Sequence, residues 1–162
     1  MYYMALLHDV GKIGVDDAIL RKPGRLTDKE FSDIKNHTVI GSQILSRISS
    51  MPELQYGALY HHERWDGRGY PKGLKGEEIP EAARIIAVAD AYDAMTSNRS
   101  YRKALTQDCV HDEIVNGIGR QFWPPAARAM LKMMDQDIHY DMRQKNDESS
   151  QNDEQKYEYG IS

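Results

Sequence analysis

The side chains able to do chemistry in this sequence are His8-Asp9, His37, His61-His62 and Asp90. Imidazole and carboxylate donors without a thiolate suit Fe, Mn or Zn in a catalytic site better than a structural zinc. An aspartate carries two oxygens, so Asp9 can bridge two cations. Two divalent ions roughly 3.5–4 Å apart clamp both oxygens of an in-line phosphoryl displacement. A serine or cysteine nucleophile is then unnecessary. Cations for a phosphate accompany the set: Lys12 lies one helical turn past His8, and Arg99 and Arg102 follow Asp90. Arginine meets a phosphate bidentately, whereas lysine acts as a point charge.

Each member also has a plainer explanation. A lone His37 on an apolar face is more often a satisfied core histidine, and His8-Asp9 alone is compatible with a helix-end hydrogen bond. Asp90 and Asp93 have Arg84, Arg99 and Arg102 as potential structural partners, and Lys12, Arg99 and Arg102 suit solvated surface. The set is harder to dismiss than its members, because burying several such groups unpaired is costly. His111 and His139 join no pattern and read as structural or surface residues.

These side chains need helices to position them. Tyr3, Leu6, Leu7 and Val10 follow helical spacing with no capping residue before them, and Gly11 and Gly14 end that segment. Residues 16–25 read as a connector. Thr27 and Glu30 form a capping-box pattern that predicts a helix through Ile34. His37, Gly41, Ile44 and Ile48 share one face of the next predicted helix. Pro52 opens another, with Leu54, Ala58 and His61 or His62 on its buried side. The double histidine then enters a glycine-rich turn, Glu63-Arg64-Trp65-Asp66-Gly67-Arg68-Gly69-Tyr70-Pro71. Pro80-Glu81 begins a helix that is apolar on nearly every side to Met95, which predicts a central position. Two amphipathic helices follow over 106–118 and 124–134. There is no repeat and no strand pattern, so the expected class is all-α. Residues 1–136 read as one domain and 137–162 as a polar, disordered tail.

A chain of 162 residues can bury a real core. Its 21 basic and 25 acidic residues give a net charge of −4, which argues against a nucleic-acid polymer or an anionic membrane as partner. Cys109 is the single cysteine, excluding an internal disulfide and a cysteine zinc cluster and pointing to a reducing, cytoplasmic setting.

The run Leu7-His8-Asp9-Val10-Gly11-Lys12, then His37, then His61 to Pro71, then Asp90-Ala91-Tyr92-Asp93-Ala94-Met95-Thr96 with Arg99, Tyr101 and Arg102, resembles the HD-GYP family. That resemblance covers roughly residues 4 to 134. It implies an all-helical HD-superfamily bundle with a central metal site, and metal-dependent hydrolysis of cyclic di-GMP to the linear dinucleotide or GMP. It also implies roles. His8, Asp9 and Asp90 would hold one metal, and Asp9 would bridge to a second held by His37, His61 and His62, with Fe or Mn expected. His8, Asp9 and Lys12 would form the catalytic group, Lys12 contacting the scissile phosphate. Tyr70, Arg99 and Arg102 would seat the dinucleotide. The Gly67–Pro71 loop would be a docking surface for diguanylate cyclase (GGDEF) domains.

Asn98 and Ser100 stand where many members carry aspartate and proline. Family members also have a further histidine, and some a glutamate, on a helix before His8-Asp9; the seven residues preceding His8 here contain neither. The corresponding expectations are a fragment of a longer protein, weak or absent activity, and self-association through apolar surface near Leu6, Leu7 and the Asp90 helix. The alternative to an enzyme is a catalytically impaired module that binds a cyclic dinucleotide or a diguanylate cyclase without turnover.

Overall fold

Thr27 shows how local chemistry sets the frame. Its hydroxyl accepts the Glu30 N–H at 3.3 Å while the Glu30 carboxylate accepts the Thr27 N–H at 2.7 Å. The reciprocal pair satisfies orphan donors at a helix start, as the sequence predicts. In the computed structural model, which describes residues 1–98 and 103–143, it launches α3, Asp28–Lys35. The remaining helices are α1 (Tyr2–Leu6), α2 (Asp17–Leu20), α4 (His37–Leu45), α5 (Leu54–Tyr60), α6 (Glu81–Thr96), α7 (Gln107–Gly117) and α8 (Pro124–Gln136). One isolated bridge, Ile118 to Phe122, is the sole β pairing among the described residues, and the fold is all-α.

Three departures from the predicted helices bear on the site. The first helix stops at Leu6, and Val10–Gly14 winds as a 3₁₀ turn. Gly11 explains the tight path, since a Cβ there would lie 1.9 Å from the His37 carbonyl oxygen and 2.4 Å from the Gly41 nitrogen. Only glycine lets the turn press backbone to backbone against α4. The predicted connector contains α2, started by Asp16, whose carboxylate accepts the Ala18 N–H at 2.8 Å. His61 and His62 fall just past the end of α5, so they leave the helix rather than ride on it.

Helix α6 occupies the middle, as its all-round apolar sequence requires. Ile86 joins Met4, Leu45, Leu54 and Ala58 in one buried cluster, while Val88 and Tyr92 join Val110, Ile114, Phe122, Ala127 and Met134 in another. Burying a side chain such as Ile86 or Val88 contributes roughly 1.5–3 kcal/mol. The helix that carries Asp90 is therefore pinned from both sides. No helix among the described residues is long and apolar enough to cross a membrane. Tyr2, Tyr3, Leu6 and Ile13 are exposed around the first turn of the chain.

Past Gln136 the Asp137 carboxylate accepts the N–H groups of Asp141 and Met142 at 2.7 and 3.0 Å. Arg143 then donates to Gln107 of α7 at 2.9 Å. The rest of the polar tail, 144–162, lies outside the described residues.

Candidate metal centre

The predicted donors come together from four parts of the chain. Asp9 and His8 arrive from the turn between α1 and the 3₁₀ segment, His37 from the first residue of α4, His61 and His62 from the end of α5, and Asp90 from the middle of α6. They fall into two groups that share Asp9: one of Asp9, His37, His61 and His62, the other of His8, Asp9 and Asp90, each with donor atoms within 4.8 Å of one another. Asp9 Oδ1 lies 3.3 Å from His37 Nε2 and 3.7 Å from His61 Nε2. Its other oxygen, Oδ2, lies 3.3 Å from His8 Nε2, which is 3.6 Å from Asp90 Oδ1. One carboxylate thus turns an oxygen toward each group.

Which imidazole nitrogen faces inward is set locally. His8 Nδ1 donates to the Ala5 carbonyl at 2.6 Å, and His37 Nδ1 to the Ile34 carbonyl at 2.6 Å. His61 Nδ1 lies 2.9 Å from the Ala58 carbonyl and 3.0 Å from that of Gly57. A carbonyl only accepts, so each Nδ1 carries the proton and each Nε2 is left to face the centre. The Nε2 atoms of His37 and His61 are 3.4 Å apart and both face the Asp9 oxygen. So close a set of acceptor atoms needs a positive charge among them, a proton or a metal ion. Asp9 Oδ1 and His8 Nε2 are also buried without a hydrogen-bond partner, although ion-pair distances surround them. The donor set fits a divalent ion.

Protonation follows the same division. Burial lowers His61 to about 4, with the nearby His8 charge adding to it. Burial and His61 take His62 down to about 3. Both rings are neutral near pH 7, as ligands must be. Burial also opposes charge on His8, but the close Asp9 and Asp90 carboxylates and the Ala5 carbonyl outweigh it and raise His8 to about 10, so a metal held by this ring must displace a proton from it. Burial works against the Asp9 carboxylate as well, yet His37, His8 and Lys12 hold it far below the usual range. Asp90 follows the same course, its burial overcome chiefly by His8.

Lys12 is at the site, its ammonium bound to Asp9 Oδ2 and its side chain 45% exposed. Tyr70 is there too, its ring stacked on His62 with centroids 4.7 Å apart and planes 27° apart. Burial and the Asp90 and Asp9 charges raise its phenol above the ordinary value, so it stays neutral. Arg99 and Arg102 lie outside the described residues. A cavity of about 570 Å³ opens beside these groups, lined by His61, His62, Tyr70, Asp90 and Lys35 among others. Asp93 is exposed and bonds Ser97 at 3.3 Å, so it belongs to the helix end rather than the centre.

Sequence reasoning overlooked Glu63. It is 3% exposed, and its carboxylate accepts the N–H groups of Lys72, Gly73 and Leu74 at 2.7, 3.1 and 3.1 Å. Three amides on one carboxylate fold the glycine-rich loop back onto the double histidine. Gly69 completes the closure, since a Cβ there would sit 2.4 Å from the Arg64 nitrogen and 2.5 Å from the His62 oxygen. Trp65 and Asp66 then hydrogen-bond through their N–H groups to the carbonyls of Gln121 and Arg120 at 3.1 and 2.7 Å. An acid directly after the ligand pair and before several glycines was the available signal.

Residues 1–120 match the HD domain family. The chain is 47% identical over 153 residues to a cyclic di-GMP phosphodiesterase of Thermotoga maritima, covering 93% of this chain and 41% of that protein. It is 47% identical over 131 residues to a cyclic di-GMP phosphodiesterase response regulator of Xanthomonas campestris, covering 79% and 34%. A 3'3'-cGAMP-specific phosphodiesterase of Vibrio cholerae is 40% identical over 134 residues, covering 82% and 26%. The chain therefore spans well under half the length of these relatives.

Proposed function

We infer that this chain, which belongs to the HD-GYP branch of the HD domain family, hydrolyses a phosphodiester bond of cyclic di-GMP, giving the linear dinucleotide or GMP in second-messenger signalling. The observation that carries the reading is Asp9, one carboxylate serving two donor groups. HD domains bind divalent metal, and His8, Asp9 and Asp90 would hold one ion here while Asp9, His37, His61 and His62 would hold the other. When bound, such a pair supplies Lewis acidity and charge neutralisation to the phosphodiester. Fe or Mn suits the mixed imidazole and carboxylate donors.

The chain's own groups do the rest. The carbonyls of Ala5, Ile34 and Ala58 keep three rings in register for the ions. Lys12 places a positive charge at the edge of Asp9, where it can follow charge developing on a phosphate oxygen. The neutral Tyr70 ring, backed by His62, forms a flat wall for a base. By the family resemblance Arg99 and Arg102 would supply further cations for the nucleotide.

The Gly67–Pro71 loop is proposed as the docking face for diguanylate cyclase domains, and the exposed Leu6, with Tyr2 and Tyr3 beside it, as a face for self-association, both in the cytoplasm; Leu7 and the apolar residues Ile86, Val88 and Tyr92 of the Asp90 helix, expected to share that face, are packed into the cores instead. The test of the main reading is anaerobic loading with Fe or Mn, elemental analysis, and chromatography of products from cyclic di-GMP. Linear dinucleotide is expected. Full metal loading with bound but unhydrolysed nucleotide would overturn catalysis and favour a binding module.

A further inference from the structure

The cavity beside the metal centre contains a cation that the proposed chemistry does not use. Lys35 is the last residue of α3, directly after Ile34, whose carbonyl holds the His37 ring at 2.6 Å. Its ammonium lies 4.8 Å from the centroid of Phe31 and 5.8 Å from that of Tyr70, so two aromatic rings bracket the charge. It lines the cavity together with His61, His62, Tyr70 and Asp90. The other described cations near the site are engaged. Lys12 is bound to Asp9, and both Arg64 and Arg68 reach Asp66, at 2.8 and 3.3 Å. Among the described residues no carboxylate lies within ion-pair distance of the Lys35 ammonium.

A cyclic dinucleotide carries two phosphates on opposite sides of its ring. With one phosphate at the Asp9 groups, the other lies across the cavity and needs a positive charge that is not already neutralised. We propose that Lys35, steadied between Phe31 and Tyr70, is a substrate-binding residue that seats this second, unbroken phosphate. The proposal rests on the phosphodiesterase reading for its ligand. It makes Lys35 a discriminator of ring from monomer, because a mononucleotide has no second phosphate to offer.

Calorimetric titration of the manganese-loaded chain with cyclic di-GMP and, separately, with GMP tests this, with KM replacing Kd where turnover occurs. Lys35→Gln is expected to weaken cyclic di-GMP binding about tenfold, the loss of one charge-assisted contact, and to leave GMP binding unchanged. Lys35→Arg should restore most of the difference. Lys35→Met keeps the aliphatic stem against Phe31 and gives the same discrimination should the glutamine variant unfold. Equal weakening of both nucleotides, or no weakening of either, overturns the proposal. Wild-type chain that binds cyclic di-GMP without hydrolysing it refutes the enzyme reading and leaves the Lys35 comparison intact. A wild-type chain that binds neither nucleotide overturns both.

Discussion

Replacing Glu63 with glutamine should loosen the glycine-rich loop while sparing the metal ligands. In the native chain Oε1 accepts from Lys72 and Gly73 and Oε2 from Leu74, at 2.7, 3.1 and 3.1 Å. Charge-assisted bonds of this kind contribute about 1.5–3 kcal/mol each, against about 0.5–1.5 for neutral ones. In Glu63→Gln the amide oxygen can keep the first two bonds as neutral contacts, a loss of about 2 kcal/mol together. The amide nitrogen would then face the Leu74 N–H, donor against donor, leaving a buried group unpaired at a further cost of about 1–3 kcal/mol. The expected total is about 3–5 kcal/mol, a large part of the ~5–15 kcal/mol that holds a domain together. Urea unfolding measures the sum, and amide hydrogen exchange at Lys72, Gly73 and Leu74 locates it. Metal content should stay at the wild-type value, because Glu63 is not among the donors. A stability change below about 1 kcal/mol with unaltered exchange at those three amides would refute the reasoning.

Asp9→Asn should lower metal content in both groups, whereas His62→Ala should empty only the group with three imidazoles; elemental analysis showing equal loss in the two variants would contradict the shared role of Asp9. Gly11→Ala sets a Cβ 1.9 Å from the His37 oxygen, so α4 must move and stability should fall by about 1–3 kcal/mol or more, with reduced metal binding. Urea titration and elemental analysis would find neither change if the contact were slack. Asp66 is held at about 2 by hydrogen bonds to Arg64, below its ordinary 3.8, with the Arg68 N–H assisting. Its charged form is favoured on folding, so its contribution is present above about pH 4 and is lost as pH falls toward 2. The Asp66 side chain is 13% exposed and its partner Arg64 33%, so water screens the pair only in part and the effect is about 1–2 kcal/mol. Asp66→Asn should flatten the acid limb of the stability curve, and superimposable curves would count against this.

Much of the frame was legible because it rests on local chemistry. Thr27 and Glu30 announce their helix, Pro80-Glu81 announces α6, and the apolar surround of Asp90 predicts the central position it holds. The six metal-ligand candidates were legible as residue types, and the fold brings all six together. What escaped depends on partners far away in sequence or without identity. Periodicity ran the first helix on to Val10, but the backbone approach of Gly11 to α4 ends it earlier. The same reasoning kept His61 and His62 on a helix that stops at Tyr60. Glu63 went unnoticed because its partners are main-chain amides, which no residue letter encodes. The short α2 was hidden by its flanking Pro23-Gly24, although Asp16 was a legible cap. Arg99 and Arg102, expected to meet the nucleotide, fall outside the described residues.

The rings of His8, His37 and His61 are each aimed by a carbonyl three or four residues upstream in the same stretch of chain. Each candidate ligand is thus calibrated by its own turn and needs its neighbours only for distance. A lesion in one turn should misdirect one candidate ligand and spare the rest, so that damage accumulates gradually instead of collapsing the whole centre. Asp9 is the exception. It belongs to both halves, and no redundancy protects it.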